Sequence, residues 1–236
     1  MLVFAVSLAA IAAVTTAISL FGFNVDLVIA NLFYDPETKT FLAGKESQFS
    51  LLRDHGLIAM LTCAALVVLA LRPPSRWRLP NVPGRAAAFL TLSLLLGPGL
   101  LVNIILKDNW GRPRPGSVAE LGGTHAYVHW WDRRGSCQNN CSFASGEAAA
   151  TAWMFGPAVL VPPHWRAAAM AGAAAFTLTM SALRIAAGGH FLTDVLFGAL
   201  IALVVLLTAY KLVFGWPWAA FQNYLRRKRS TTSTAA

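Results

Sequence analysis

From residue 86 to residue 115 the chain reads AAAFLTLSLLLGPGLLVNIILKDNWGRPRP. An apolar run without a single charged side chain ends at Lys107 and passes into a turn that holds Arg112 before Pro113 and Arg114 between Pro113 and Pro115. Residues 86–106 have the roughly 20 residues that a helix needs to cross the hydrocarbon core of a bilayer. Gly97-Pro98-Gly99 are expected to kink this helix or thin it locally. A second polar cluster, Arg184-Ile-Ala-Ala-Gly-Gly-His190-Phe-Leu-Thr-Asp194, joins two further apolar runs. Only 12% of the residues are charged, so cations gathered at the ends of membrane-length runs call for a function.

Working outward, the whole chain has this character. Its 236 residues are 56% hydrophobic, with a mean hydropathy of +0.56, beyond the range of soluble domains. Apolar spans are expected at 2–23, 57–71, 86–106, 144–161, 166–187 and 190–214. These make an all-α integral membrane protein of six transmembrane helices. A single domain is expected over 1–230, with a disordered tail at 231–236. The first run lacks a positive leader and a small-residue cleavage site, so it reads as a helix and not as a signal peptide. Residues 25–33 suit an interfacial segment. Pro73-Pro74 and Pro162-Pro163 end their spans.

The net charge of +9 admits two explanations, a nucleic-acid surface or cytoplasmic loops rich in Lys and Arg. The grouping of Arg72, Arg76, Arg78 and Arg85, and of Arg226, Arg227, Lys228 and Arg229, beside apolar spans favours the second. Nucleic acid is therefore not an expected partner. Six spans put both termini on one side, and the basic loops make it the cytoplasm. Residues 24–56, 107–142 and 187–189 then lie outside, and both polar clusters fall on the outer face.

The clusters point to phosphate chemistry. Lys107 offers a point charge and Arg114 a planar fork matched to phosphate oxygens, on a turn stiffened by Pro113 and Pro115. Snorkelling at a helix end would explain Lys107 alone. Phe143-Ala-Ser145-Gly146-Glu147 opens the fourth span. Its free N–H groups suit an anion, Ser145 suits a cap, and Gly146 permits close approach. A merely capped helix with an acid in its first turn reads equally well. His190 and Asp194, four apart, share a helix face, so a carboxylate can orient an imidazole whose other nitrogen is free to act. Ionisable groups beside a membrane span favour function over a satisfied core histidine.

Lys-x6-Arg-Pro, then Ser-Gly, then Arg-x5-His-x3-Asp, in this order, resemble the signature of the type-2 phosphatidic acid phosphatase superfamily. The resemblance implies a metal-independent lipid phosphatase of the bacterial inner membrane that needs no cofactor. It implies that Lys107, Arg114, Ser145, Gly146 and Arg184 bind phosphate, that His190 forms a phosphohistidine, and that Asp194 orients His190. Two departures stand out. Glu147 occupies the place of a histidine that protonates the leaving oxygen, and Leu183 that of a serine. Glu147 serves as the acid if burial raises its pKa, and nearby Lys and Arg oppose this. His125 or His129 are alternative donors. A diphosphate substrate needs less acid help. The Ser-Gly-Glu form, with Cys137 and Cys141 ahead of it, is similar to a bacterial branch of lipid A 4′-phosphatases.

The expected substrate is an outer-leaflet lipid phosphate, lipid A foremost. Undecaprenyl diphosphate and phosphatidylglycerol phosphate are alternatives, as is a binding or transport protein that kept the cradle and lost turnover. The oligomeric state is not legible. Cys137 and Cys141 suit a local disulfide if their Cα atoms come within about 7 Å in an oxidising compartment. Half of a metal site is the other option, and the remaining ligands are wanting. Trp110, Trp130 and Trp131 suit interfacial anchors. Arg133 and Arg134 suit either a headgroup contact or a solvated loop.

Overall fold

A computed structural model describes residues 1–44 and 84–215. The expected span at 57–71, the Arg72–Arg78 cluster and the basic tail lie outside the described residues. Among the described residues four helices are long and apolar enough to cross a membrane. They are α1 (Leu2–Leu20), α3 (Gly84–Asn109), α6 (Pro163–Ala186) and α7 (Leu192–Phe214). They carry large exposed apolar side chains such as Val3, Val14, Leu95, Ile104, Leu178 and Leu212. A water-soluble surface would not tolerate such patches, whereas lipid accepts them. The chain is a multi-pass membrane protein.

Helix α7 is the hub. Half of its most apolar window is buried, against a third or less in the other three. Against it pack α1, α3 and the short helix α4 (Gly146–Ala152), which also packs on α6. The closest approach is at Gly198 of α7, where a Cβ would stand 2.3 Å from the Ser145 carbonyl oxygen. Only glycine lets the start of α4 settle there.

Two spans differ from expectation. Residues 144–161 form no single helix but α4 followed by α5 (Phe155–Leu160). Pro157 is the cause. It has no N–H for the Trp153 carbonyl, and its ring crowds that carbonyl. Gly156 N takes the Trp153 oxygen at 2.8 Å and the chain turns. In α3 the Gly-Pro-Gly stretch lies within a π-helical segment, Leu95–Leu106, that contains Pro98. Asn103 Nδ2 donates to the Pro98 carbonyl at 2.8 Å, supplying a bond inside this widened helix.

The remaining elements close the polar end. Helix α2 (Val25–Asn31) is capped by Asn24, whose side chain accepts from Leu27 N. A two-residue antiparallel pair, β1 (Tyr34–Asp35) and β2 (Thr40–Phe41), follows it. Between α3 and α4 the 110–145 loop is pinned by aromatic packing. Trp110 and Trp130 stack on Phe143, and Trp130 lies 4.2 Å from the Phe197 ring. Trp130 Nε1 also donates to Thr16 Oγ1 of α1 at 3.1 Å. Trp110 and Trp130 are thus packed into the protein, while Trp131 is half-exposed and stacks on His129.

Candidate active site

Lys107 begins the last turn of α3, and its backbone is tied to the far side of the loop. Cys141 N donates to Lys107 O at 3.0 Å, Ser142 N to Arg112 O at 2.8 Å, and Cys137 N to Gly111 O at 3.0 Å. Gly111 has φ +72° and faces the Gly135 carbonyl, where a side chain would be strained and crowded. A disulfide joins Cys137 and Cys141, with Cα atoms 5.7 Å apart. The loop it closes sets Asn140 at φ +49°. Asn140 then accepts three bonds from Arg114: its carbonyl from Nε and Nη2 at 3.1 and 3.0 Å, its Oδ1 from Nη2 at 2.8 Å. The guanidinium is held by one edge.

From the other side comes Arg184 in the last turn of α6. Gly189 lies against its guanidinium, where a Cβ would come within 3.0 Å of Nη2. Arg184 Nη2 pairs with Glu147 Oε1 at 3.3 Å. Its Nε is buried and donates to no acceptor among the described residues. Such a donor takes its partner from water or a ligand. Lys107, Arg114 and Arg184 lie within electrostatic reach of one another and of Glu147. Burial first, and then Arg184, press the Arg114 pKa down. Three cations facing one carboxylate make a cradle short of negative charge, which suits a phosphate.

His190 is fully buried between these groups. Its ring is oriented by a backbone group: Nδ1 donates to the Ser142 carbonyl at 2.7 Å. Nε2 faces Glu147 Oε2 at 3.3 Å. Asp194 Oδ2 stands 4.0 Å from Nδ1. Helix α7 starts at Leu192, so His190 precedes it and does not share a helical turn with Asp194. Asp194 Oδ2 accepts from Phe191 N at 2.8 Å, capping its own helix, and from Ser142 Oγ at 2.5 Å. The carboxylate therefore reaches the imidazole through Ser142.

Both ring nitrogens face acceptors, so a proton on either His190 Nε2 or Glu147 would bridge the two. Burial pushes the His190 pKa down, against the pull of Glu147 and Asp194. Burial alone would raise the Glu147 carboxyl, as the sequence suggests for an acid. Its bond to His190, with the charges of His190, Arg184 and Lys107, outweighs burial and holds it below the usual carboxylate range.

The other expected cradle residues are built in differently. Ser145 is fully buried, and its side chain accepts from Ala148 N at 3.3 Å as the cap of α4. Its own N–H donates to Asp194 O at 3.0 Å. At Gly146 a Cβ would lie 2.3 Å from Asn103 Oδ1, so the missing side chain makes room for Asn103. His125 bonds Ser136 Oγ at 2.7 Å, and His129 packs on Tyr127 and Trp131. Arg133 lies over the Trp110 ring at 5.1 Å, and Arg134 forms an exposed pair with Asp132.

Sequence reasoning placed Arg112 with the outer cations, and the structure corrects this. Arg112 is fully buried. All five of its N–H groups have partners: Val128 O, Thr193 Oγ1, Asp194 Oδ1, Asp26 Oδ2 and the Tyr127 hydroxyl. None remains for a ligand. Burial pulls its pKa down, and Asp194 and Asp26 outweigh that and raise it. Asp26 and Ser142 were not legible as site residues. A hydrophobic cleft of about 330 Å³ is lined among others by Phe33, Leu42, Leu183 and Ala186.

Comparison with known proteins finds relatives of one name. A protein of Rhizobium etli named lipid A 4′-phosphatase is 45% identical over 113 residues, 48% of this chain and 44% of that protein. One of the same name from Rhizobium leguminosarum is 44% identical over 113 residues, 48% of each chain. The aligned stretch thus spans about half the length of these two relatives. A third of that name, from Francisella tularensis subsp. novicida, is 28% identical over 198 residues, 81% of this chain and 87% of that protein. No solved structure matches the chain. The PAP2 superfamily matches residues 85–218, more than half of the sequence and every residue of the cation cradle together with His190: the chain belongs to the PAP2 superfamily.

Proposed function

We propose that this protein is a lipid phosphatase that hydrolyses a phosphate ester of an outer-leaflet lipid, lipid A 4′-phosphate foremost, through a phosphohistidine on His190. The observation that carries the reading is a buried imidazole whose Nδ1 proton is committed to the Ser142 carbonyl and whose Nε2 faces Glu147, a carboxylate within electrostatic reach of Lys107, Arg114 and Arg184. Membership of the superfamily and the names of the three relatives support the substrate class. The hydrophobic cleft lined by Phe33, Leu42, Leu183 and Ala186 suits an acyl chain of such a lipid.

In this reading Lys107, Arg114 and Arg184 bind the phosphate, and the incoming dianion displaces Glu147 from Arg184. A proton held between Nε2 and Glu147 in the reactive form passes to the carboxylate, which leaves the Nε2 lone pair free. Nε2 attacks phosphorus, the N–P bond forms as the P–O ester bond breaks, and Glu147 gives its proton to the leaving oxygen. Glu147 then takes a proton from water, which attacks the phosphohistidine and releases inorganic phosphate. The charge of the phosphoryl group is met throughout by the cations. Active-site position on the outer, periplasmic side of an inner membrane belongs to the same proposal.

The test is phosphate release by purified protein in EDTA from lipid A, undecaprenyl diphosphate and phosphatidylglycerol phosphate, with His190→Ala alongside. Release that survives the chelator, is preferred on lipid A, and falls by at least about 10³-fold in the variant is expected. Binding of lipid phosphate without any release from the panel would instead favour a cradle without turnover.

A further inference from the structure

The sequence resemblance makes Asp194 the carboxylate behind His190, and Asp194 Oδ2 stands 4.0 Å from Nδ1, yet Arg112 donates directly to Asp194. One guanidinium against one carboxylate would leave that carboxylate without net charge to offer. The structure supplies a second carboxylate. Asp26, buried on α2 and far outside the stretch matched to the superfamily, takes the other edge of Arg112 at 2.7 Å. It also accepts from Thr193 N at 2.9 Å and Thr193 Oγ1 at 2.6 Å, capping α7 from another element. The cluster of Asp26, Arg112 and Asp194 therefore carries one net negative charge in a buried setting, where screening is weak. It reaches the imidazole through Ser142, whose hydroxyl bonds Asp194 and whose carbonyl bonds Nδ1.

We propose that Asp26 is a positioning residue for His190: by sharing Arg112 with Asp194 it holds Ser142 and α7 in place and leaves the cluster anionic. The inference rests on the phosphohistidine reading. When Nε2 attacks phosphorus with Nδ1 still protonated, the ring becomes cationic, and an anionic cluster behind it favours that state over the resting one. Without Asp26 the cluster is neutral, and both Arg112 and the start of α7 lose a fixed partner. Glu147 and its partner Arg184 lie on the Nε2 side of the ring and Ser142 on the Nδ1 side, so Asp26, which touches none of the phosphate cations, is expected to leave substrate binding largely alone.

Asp26→Asn keeps shape and removes charge. The expected result with lipid phosphate is a phosphohistidine that forms about 10- to 100-fold more slowly per trappable site, in the range of small misplacements at a reacting centre. KM stays within about threefold of the parent, as for an interaction made only in the transition state. An unchanged rate per site, with only a lower unfolding temperature or a smaller active fraction, would overturn the proposal by showing a purely structural role. A KM rise of the same factor as the rate loss would also overturn it. If Asp26→Asn does not fold, Thr193→Val decides: it removes a hydroxyl that joins Asp26 to Arg112 while keeping every charge. It is expected to slow the same step by about tenfold, and an unchanged rate would reject the proposal. Absence of any trappable phosphohistidine in the parent protein would sink the catalytic reading itself, a result distinct from the others.

Discussion

Arg112 and Arg114 stand two residues apart and differ in every respect that matters. Arg114 holds one acceptor residue, Asn140, and turns the rest of its guanidinium to the cradle. Arg112 has spent all five donors inside the protein. Arg114→Ala is expected to raise KM and lower kcat/KM by about 10²- to 10³-fold with little loss of stability. Arg112→Ala leaves two buried carboxylates without their cation and is expected to cost about 3–5 kcal/mol of stability. Thermal unfolding in detergent beside steady-state kinetics separates the two. Glu147 makes a third contrast at this scale. His190 is faced by Glu147, Asp194 and Arg184, so Glu147→Gln removes an anion that helps hold its proton. The alkaline limb of the kcat/KM profile, where the proton held between Nε2 and Glu147 is lost, is then expected to disappear. Alcohol leaving groups should slow by about 10²-fold or more, and diphosphates by less. A limb that stays in place, with both substrates slowed alike, would deny Glu147 the proton.

At the scale of elements, short pieces of irregular chain carry the site. The disulfide loop sets Asn140, and Asn140 aims Arg114. Cys137→Ser, or treatment with a reductant, is expected to raise KM by roughly threefold to tenfold through a less ordered Arg114, with a smaller fall in kcat. Equal KM values for oxidised and reduced protein would show that the loop holds without its bridge. Helix α4 is placed by the glycine of its neighbour. Gly198→Ala drives a methyl into the Ser145 carbonyl, and is expected to cost about 1–3 kcal/mol and to displace Glu147 with the helix start. The helix break at Pro157 was written in the chain, since a proline strips its i−4 carbonyl of a partner. A hydropathy reading over residues 144–161 passes across it because proline barely alters mean hydropathy.

At the scale of the whole molecule, α7 packs against α1, α3 and α4 among the described residues, and the polar ends of α3, α4, α6 and α7 meet with α2 at one end of the bundle. The proposed orientation puts that end outside the cell membrane. An impermeant thiol reagent applied to intact spheroplasts should then label Glu120→Cys, on an exposed loop of that end. Labelling only after lysis would reverse the orientation.

The sequence by itself determined the membrane class, since runs of apolar residues as long as a bilayer is thick have no other stable setting. It also determined the family, because Lys107, Arg114, Arg184 and His190 keep fixed spacings along the chain. Tertiary structure alone decided how these groups are wired. Asp26 meets Arg112 and Thr193 across separations of 86 and 167 residues, and no periodicity encodes such a meeting. His190 is oriented by the carbonyl of Ser142, a group that every residue type possesses and that no side-chain pattern can announce. A buried arginine and a ligand-binding one look the same in a string of letters. Which is which depends on the acceptors that folding brings to each.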